Sequence, residues 1–154
     1  MNYYIIDKTL NPNVIGSDYP QAYKFIKGYD PRGPHALFSI YKYWNSFPDY
    51  IPNLDGIMLS GTAKQTDFVS DGFSIGYIVS EKAKNIIEKY NLYPHCFYPL
   101  GLYIRKVKYD YFLLFMTSGY SDFVDYKKST FEKCNLSTNE KDGVVSVDSK
   151  KKST

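Results

Sequence analysis

The residues able to act as nucleophile, base or metal ligand are few in this chain of 154 residues: two histidines, His35 and His95, and two cysteines, Cys96 and Cys134. A structural zinc takes about four ligands at compact spacing. Here His95 and Cys96 are adjacent and no CxxC or HxxxH pair occurs, so no metal is expected. Serines are plentiful, but both histidines read as structural rather than as a base beside one of them. Asp67 and Asp71 stand four apart in polar sequence, a spacing open to cation binding or acid–base work. It matches no calcium loop, and a solvated turn is the expected role. Neither a Walker sequence nor GxGxxG is present, so no cofactor is expected and no enzyme activity is predicted.

A second set has types suited to recognition. Tyr103, Arg105, Lys108, Tyr109 and Tyr111 interleave aromatic and cationic side chains. With 17 Tyr and 10 Phe the chain is rich in such groups, and Tyr combines a large apolar body with a polar tip. Three uses stay open for the five residues: a structural sheet face, a partner-binding patch for which Tyr and Arg are favoured anchors, or a stacking surface for single-stranded bases.

Charge narrows the partner class. The net charge is +3, and Lys150, Lys151 and Lys152 against Asp148 carry +2 of it in the last seven residues. The remaining +1 is too little for a basic nucleic-acid-binding body, so nucleic acid is not the expected partner. No apolar run nears the roughly 18 residues that span a bilayer, and no membrane association is expected. The start, MNYYIIDKTLNPN, has Asp7 and no lysine before its apolar stretch, unlike a secretory signal. A cytoplasmic, reducing setting follows, in which two cysteines are small buried side chains.

The elements that position these groups are read from periodicity. Tyr3–Ile6 suits a strand, and Tyr19–Gly28 a helical turn with Ala22, Phe25 and Ile26 on one face. The segment Gly28–Pro34 is loop, with two Gly and two Pro. Ala36–Trp44 fits helix and strand equally. A turn at Asn53–Gly56 leads into Ile57–Leu59. From Phe73 to Val79 alternation predicts a strand. Ser80 is then an N-cap with Glu81 at the positive end of the helix dipole. Ala83, Ile86, Ile87 and Tyr90 at i, i+3, i+4, i+7 predict an amphipathic helix of about three turns with those four in the core. Phe97–Ile104 and Tyr111–Met116 form a hairpin turning within Lys106–Asp110, Pro99 and Gly101 marking an edge or bulge. Phe123–Cys134 and Val144–Val147 are further strands. The fold class predicted is α+β, a mainly antiparallel sheet with one central amphipathic helix and one or two minor helices. Residues 1–147 form a single globular domain and 148–154 a disordered basic tail.

Ile78-Val79-Ser80-Glu81-Lys82-Ala83-Lys84 through Leu92, then Phe97-Tyr98-Pro99-Leu100, then Phe123-Val124-Asp125-Tyr126-Lys127-Lys128-Ser129-Thr130-Phe131 resemble a family of immunity proteins from bacterial polymorphic toxin systems. In that family a VSEK helix start, an F(F/Y)P strand and an (I/V)D…S.F strand occur in this order, and Thr66-Asp67-Phe68 is similar to its DF element. The resemblance covers roughly Asp55 to Phe131. It implies a non-enzymatic antitoxin that binds a cognate protein toxin and blocks its active site or substrate entry. The alternative from the residues themselves is a single-stranded nucleic-acid-binding or RNA-processing module using the Tyr/Arg/Lys face.

Overall fold

The computed structural model describes residues 9–43, 45–117, 127–134 and 141–145. The chain divides into two units, Met1–Thr117 and Ser118–Thr154. In chain order the first holds helix α1 (Pro12–Ile15), β1 (Ala22–Phe25), a 3-10 helix (Leu37–Tyr43), β2 (Asp55–Leu59), β3 (Phe68–Val69), β4 (Tyr77–Ser80), helix α2 (Glu81–Ile87), β5 (His95–Ile104) and β6 (Val107–Met116). The second holds β7 (Phe131–Cys134) and β8 (Lys141–Val145), paired antiparallel. The strand expected at Tyr3–Ile6, the start of the strand expected from Phe123, and the 148–154 tail lie outside the described residues.

The α+β class holds, but the six-stranded sheet is mixed. Its order is β1-β2-β5-β6-β4-β3, and β2 runs parallel to β5 while the other four pairings are antiparallel. Parallel neighbours need a long crossover, which residues 60–94, carrying β3, β4 and α2, supply. At the ladder's centre is the β5–β6 hairpin, with ten residue pairs from His95↔Met116 to Ile104↔Val107. Its turn is two residues long, Arg105 and Lys106, rather than spread over 106–110. In a two-residue hairpin the closing pair is hydrogen-bonded, and alternation then makes Pro99↔Phe112 a non-bonded pair. The missing N–H of Pro99 therefore points away from β6, past the end of β2, and breaks no rung of the hairpin.

The inner face of the sheet encloses the core. Ile57, Leu59, Val69, Ile78, Tyr98, Leu100, Leu102, Tyr111, Leu113 and Phe115 pack there with Leu37 and Ile40 of the 3-10 helix. That helix settles the Ala36–Trp44 ambiguity, since Leu37 and Ile40 are three apart and share its buried side. Phe73 and Ile75 are buried as expected but lie in a loop, because Ser74 and Gly76 both have positive φ. The predicted strand is therefore confined to its second half, β4. The helical turn expected over Tyr19–Gly28 is instead strand β1, which puts Ala22 and Phe25 into the same core.

Two edges of this sheet meet. The Ala22 N–H donates to Ser70 O at 2.9 Å and the Gly72 N–H donates to Ala22 O at 2.9 Å, so the segment after β3 is stitched to β1. Gln21, fully buried, supports the seam: its N–H donates to Ser70 Oγ at 3.0 Å, and its Oε1 accepts from the Ser70 N–H at 3.0 Å. Its Nε2 donates to Lys64 O at 2.7 Å. A buried amide is tolerable only when satisfied in this way.

On the outer face α2 covers β4 and β6. Ser80 Oγ caps it, accepting from the Ala83 N–H at 3.1 Å. Ala83 and Ile87 pack on Val79 and Leu114. The helix is only seven residues long, however, and Ile86 and Tyr90 are 47% and 57% exposed rather than in the core. A helix lying on a sheet buries one narrow stripe, and Lys84 takes the place assigned to Ile86: its ammonium stands 5.5 Å from the Phe97 ring and 5.2 Å from the Phe112 ring.

Gln21→Leu keeps volume and apolar fit but leaves the Ser70 N–H without its acceptor; urea unfolding is expected to show a loss of about 3 kcal/mol. Ile87→Ala is expected to cost about 2–4 kcal/mol in the same measurement, and Ile86→Ala under about 0.5 kcal/mol.

Candidate functional site

The site grows from a break in β2. Ile57 pairs with Leu102 and faces the core, so strict alternation would turn Asp55 inward too. The register instead shifts between Asp55 and Ile57, a bulge at Gly56 that turns Asp55 outward, opposite Gly101. Both glycines are required by close approach. A Cβ on Gly56 would land in the Tyr29 ring, and one on Gly101 would collide with the Asp55 carboxylate. Tyr29 is fixed in turn, its hydroxyl donating to Asn53 O at 2.8 Å.

Across the outer face β5 and β6 bring Tyr103 and Lys108 together as a directly opposed pair. Lys108 Nζ meets Asp55 Oδ2 at 2.6 Å and the Tyr103 hydroxyl donates to Asp55 Oδ1 at 3.0 Å. The Lys108 hydrogen bond above all, helped by that from Tyr103, holds the Asp55 carboxyl below the usual carboxylate range against the opposing effect of burial. The same hydrogen bond raises Lys108, and Asp55 raises the Tyr103 phenol. All three stay in their ordinary neutral-pH charge states, two of them opposite in charge and joined by the hydrogen bond.

Beside it lies a cleft of about 560 Å³ between the 51–54 loop and the start of α2. Pro99 and Phe112 give it an apolar floor, and Asp55, Glu81 and Asp110 stand around it against Lys108 alone. Three carboxylates and one ammonium leave this end of the face acidic.

The five residues singled out by type divide between places. Tyr103 and Lys108 join Asp55 on the outer face. Arg105 occupies the hairpin turn with φ 48°. Tyr109, partly exposed, points to the other side, and Tyr111 on that side is buried, its hydroxyl donating to Thr66 O at 2.9 Å. Burial raises the Tyr111 phenol and pushes Tyr98 in the core up to about 12, with Cys96 adding to the second shift. Asp55, Gly101 and Asp110 escaped the reading by residue type: Asp55 looks like an ordinary turn residue, and only the unequal count of residues across a bulge could reveal it.

The other candidate groups have structural partners. Asp67 accepts from Ser80 Oγ at 2.7 Å and meets Lys82 Nζ at 2.8 Å, anchoring the α2 start. Asp71 Oδ1 accepts from the N–H groups of Phe73 and Ser74. His35 stacks on Tyr50 with ring centroids 3.9 Å apart, and His95 Nδ1 lies 2.9 Å from Tyr93 O. Among the described residues no three His, Cys, Asp or Glu side chains gather as a metal site, and no helix is long and apolar enough to cross a membrane. Comparison with protein-family models, with curated proteins and with solved structures finds no significant match to this chain.

Because the folded-state pKa of Asp55 lies below its unfolded value, its stabilisation is complete above about pH 4 and disappears as pH falls through the folded pKa. Asp55→Asn is expected to lower stability at pH 7 by about 0.5 kcal/mol, the pair being solvent-screened. In thermal melts the difference from wild type should shrink below about pH 4 and in about 1 M salt.

Proposed function

We propose that the protein is a cytoplasmic immunity protein, an antitoxin that binds and neutralises a cognate bacterial toxin domain without catalysing a reaction. The observation that carries this reading is the Asp55–Tyr103–Lys108 network. It is a polar surface held by hydrogen bonds on the longest ladder among the described strands, with an apolar-floored cleft at its side. A side chain already held in one geometry loses little entropy on binding, and charges displayed on a rigid sheet select a complementary partner. The similarity of Asp55–Phe131 to immunity proteins supplies the class of partner, and the network lies within that span.

A single-stranded nucleic-acid module is the weaker reading. Stacking bases needs aromatic faces free on one surface, whereas Tyr103 is tied to Asp55, Tyr111 is buried and Tyr109 faces the opposite side. The carboxylates of Asp55, Glu81 and Asp110 around the cleft would also repel phosphates.

Mixing the purified chain with the toxin domain encoded beside its gene is expected to give a complex that co-elutes in size-exclusion chromatography, and co-expression is expected to restore growth to cells making that toxin. Separate elution together with persistent toxicity overturns the reading.

A further inference from the structure

The end of the β5–β6 hairpin breaks a local rule without any gain inside the fold. Arg105 and Lys106 have φ of 48° and 72°, the left-handed region required at both centres of the tight hairpin turn. Asn-Gly or Asp-Gly is the favoured filling there, and two long side chains with a Cβ are strained. Neither cation has an ion-pair partner among the described residues, unlike Lys82, Lys84 and Lys108. Every residue from Arg105 to Asp110 is exposed. Within that run Val107 and Tyr109, two apart and so on one side of the ribbon, are 55% and 37% exposed. They border a depression of about 300 Å³ whose other walls are Leu59, Ser60, Gly61, Ala63 and Ile104, with Arg105 at its rim.

Strained backbone clusters at sites of function. Here it carries two cations without an ion-pair partner among the described residues, next to a hollow of mixed apolar and polar lining. We infer that the hairpin tip, Arg105 to Tyr109, docks onto an acidic face of the partner protein. Arg105 and Lys106 pair with its carboxylates, and an apolar side chain of the partner enters the hollow beside Val107 and Tyr109. This deepens the antitoxin reading and rests on it. Charge complementarity selects the occupant: with Lys108 balanced by Asp55, Arg105 and Lys106 leave the tip from Arg105 to Tyr109 at +2. A phosphate backbone would satisfy the cations, but it would leave the hollow and Val107 without a contact and offer only one free ring for a base. An acidic protein surface with an apolar side chain uses all of these features.

The test uses the turn's own strain. Arg105→Asn/Lys106→Gly installs the favoured turn while deleting both charges, so it is expected to melt at a higher temperature than wild type while binding the toxin domain encoded beside the gene about tenfold more weakly at low salt. Wild-type affinity should fall between about 50 and about 300 mM salt, and the variant's should fall much less. Arg105→Gln/Lys106→Gln, which keeps the side-chain length and the original turn, should reproduce the loss of affinity and of salt dependence. Wild-type binding that either variant matches in strength overturns the tip inference and leaves the antitoxin reading standing. Absence of wild-type binding overturns both. Binding of single-stranded oligothymidine by wild type, abolished in both variants, replaces the acidic protein with nucleic acid and also overturns the inference.

Discussion

The fold depends on a seam between strands that are far apart in sequence. The main chain at Ala22 exchanges hydrogen bonds with Ser70 and Gly72, and the Gln21 amide occupies the space behind that junction with its oxygen and nitrogen both satisfied. Closing the seam lets the inner faces of six strands share one core instead of presenting an open sheet with two vulnerable edges. It also explains why a polar side chain is fully buried among Ile15, Val69 and Ala22. An apolar residue of equal size would fill the volume and leave the loop ends at Lys64 and Ser70 with unmet donors and acceptors, which costs more than the burial returns.

Within that frame, the outer face is shaped by two small departures from regular pairing. The bulge at Gly56 rotates Asp55 from the core side to the solvent side, and the bare backbone of Gly101 leaves room for its carboxylate. The two-residue turn at Arg105 and Lys106 sets the register of all ten hairpin pairs. That register places Tyr103 beside Lys108 and delivers both to Asp55. A turn longer by one residue would move Lys108 to the core face, since side chains alternate with period two. The outer face thus has a cationic tip and an acidic cleft with Lys108 between them. This polarity comes from register and bulge rather than from composition, whose net charge is close to balanced.

Much of the fold was legible where the signal is local. Ser80 as N-cap, the inward alternation of β5 and the doubly apolar character of β6 all appear where sequence places them, because capping and pleat depend on neighbours in the chain. Reading failed where the outcome depended on what a side chain meets. Ile86 and Tyr90 have the spacing of a buried face, but α2 lies on the sheet along a stripe too narrow for them, and the Lys84 ammonium sits over the Phe97 and Phe112 rings instead. Ala22 and Phe25 fit a helical turn in isolation, and β2 as a neighbour drew them into a strand. Of the five residues picked by type for recognition, the structure unites Tyr103 and Lys108 and separates Tyr109 and Tyr111 from them.

By itself the sequence determined the class of the fold and the position of the capped helix and its hairpin. These follow from propensity, periodicity and spacing over a few residues. Tertiary structure decided that β2 runs parallel to β5, that Gln21 is a core residue, and that Asp55 becomes the hub of the outer-face network. Each of these turns on groups about fifty positions apart, such as Gln21 and Ser70 at a separation of 49 or Asp55 and Lys108 at 53. Only the closed sheet brings them within hydrogen-bonding distance, and no local pattern encodes that approach.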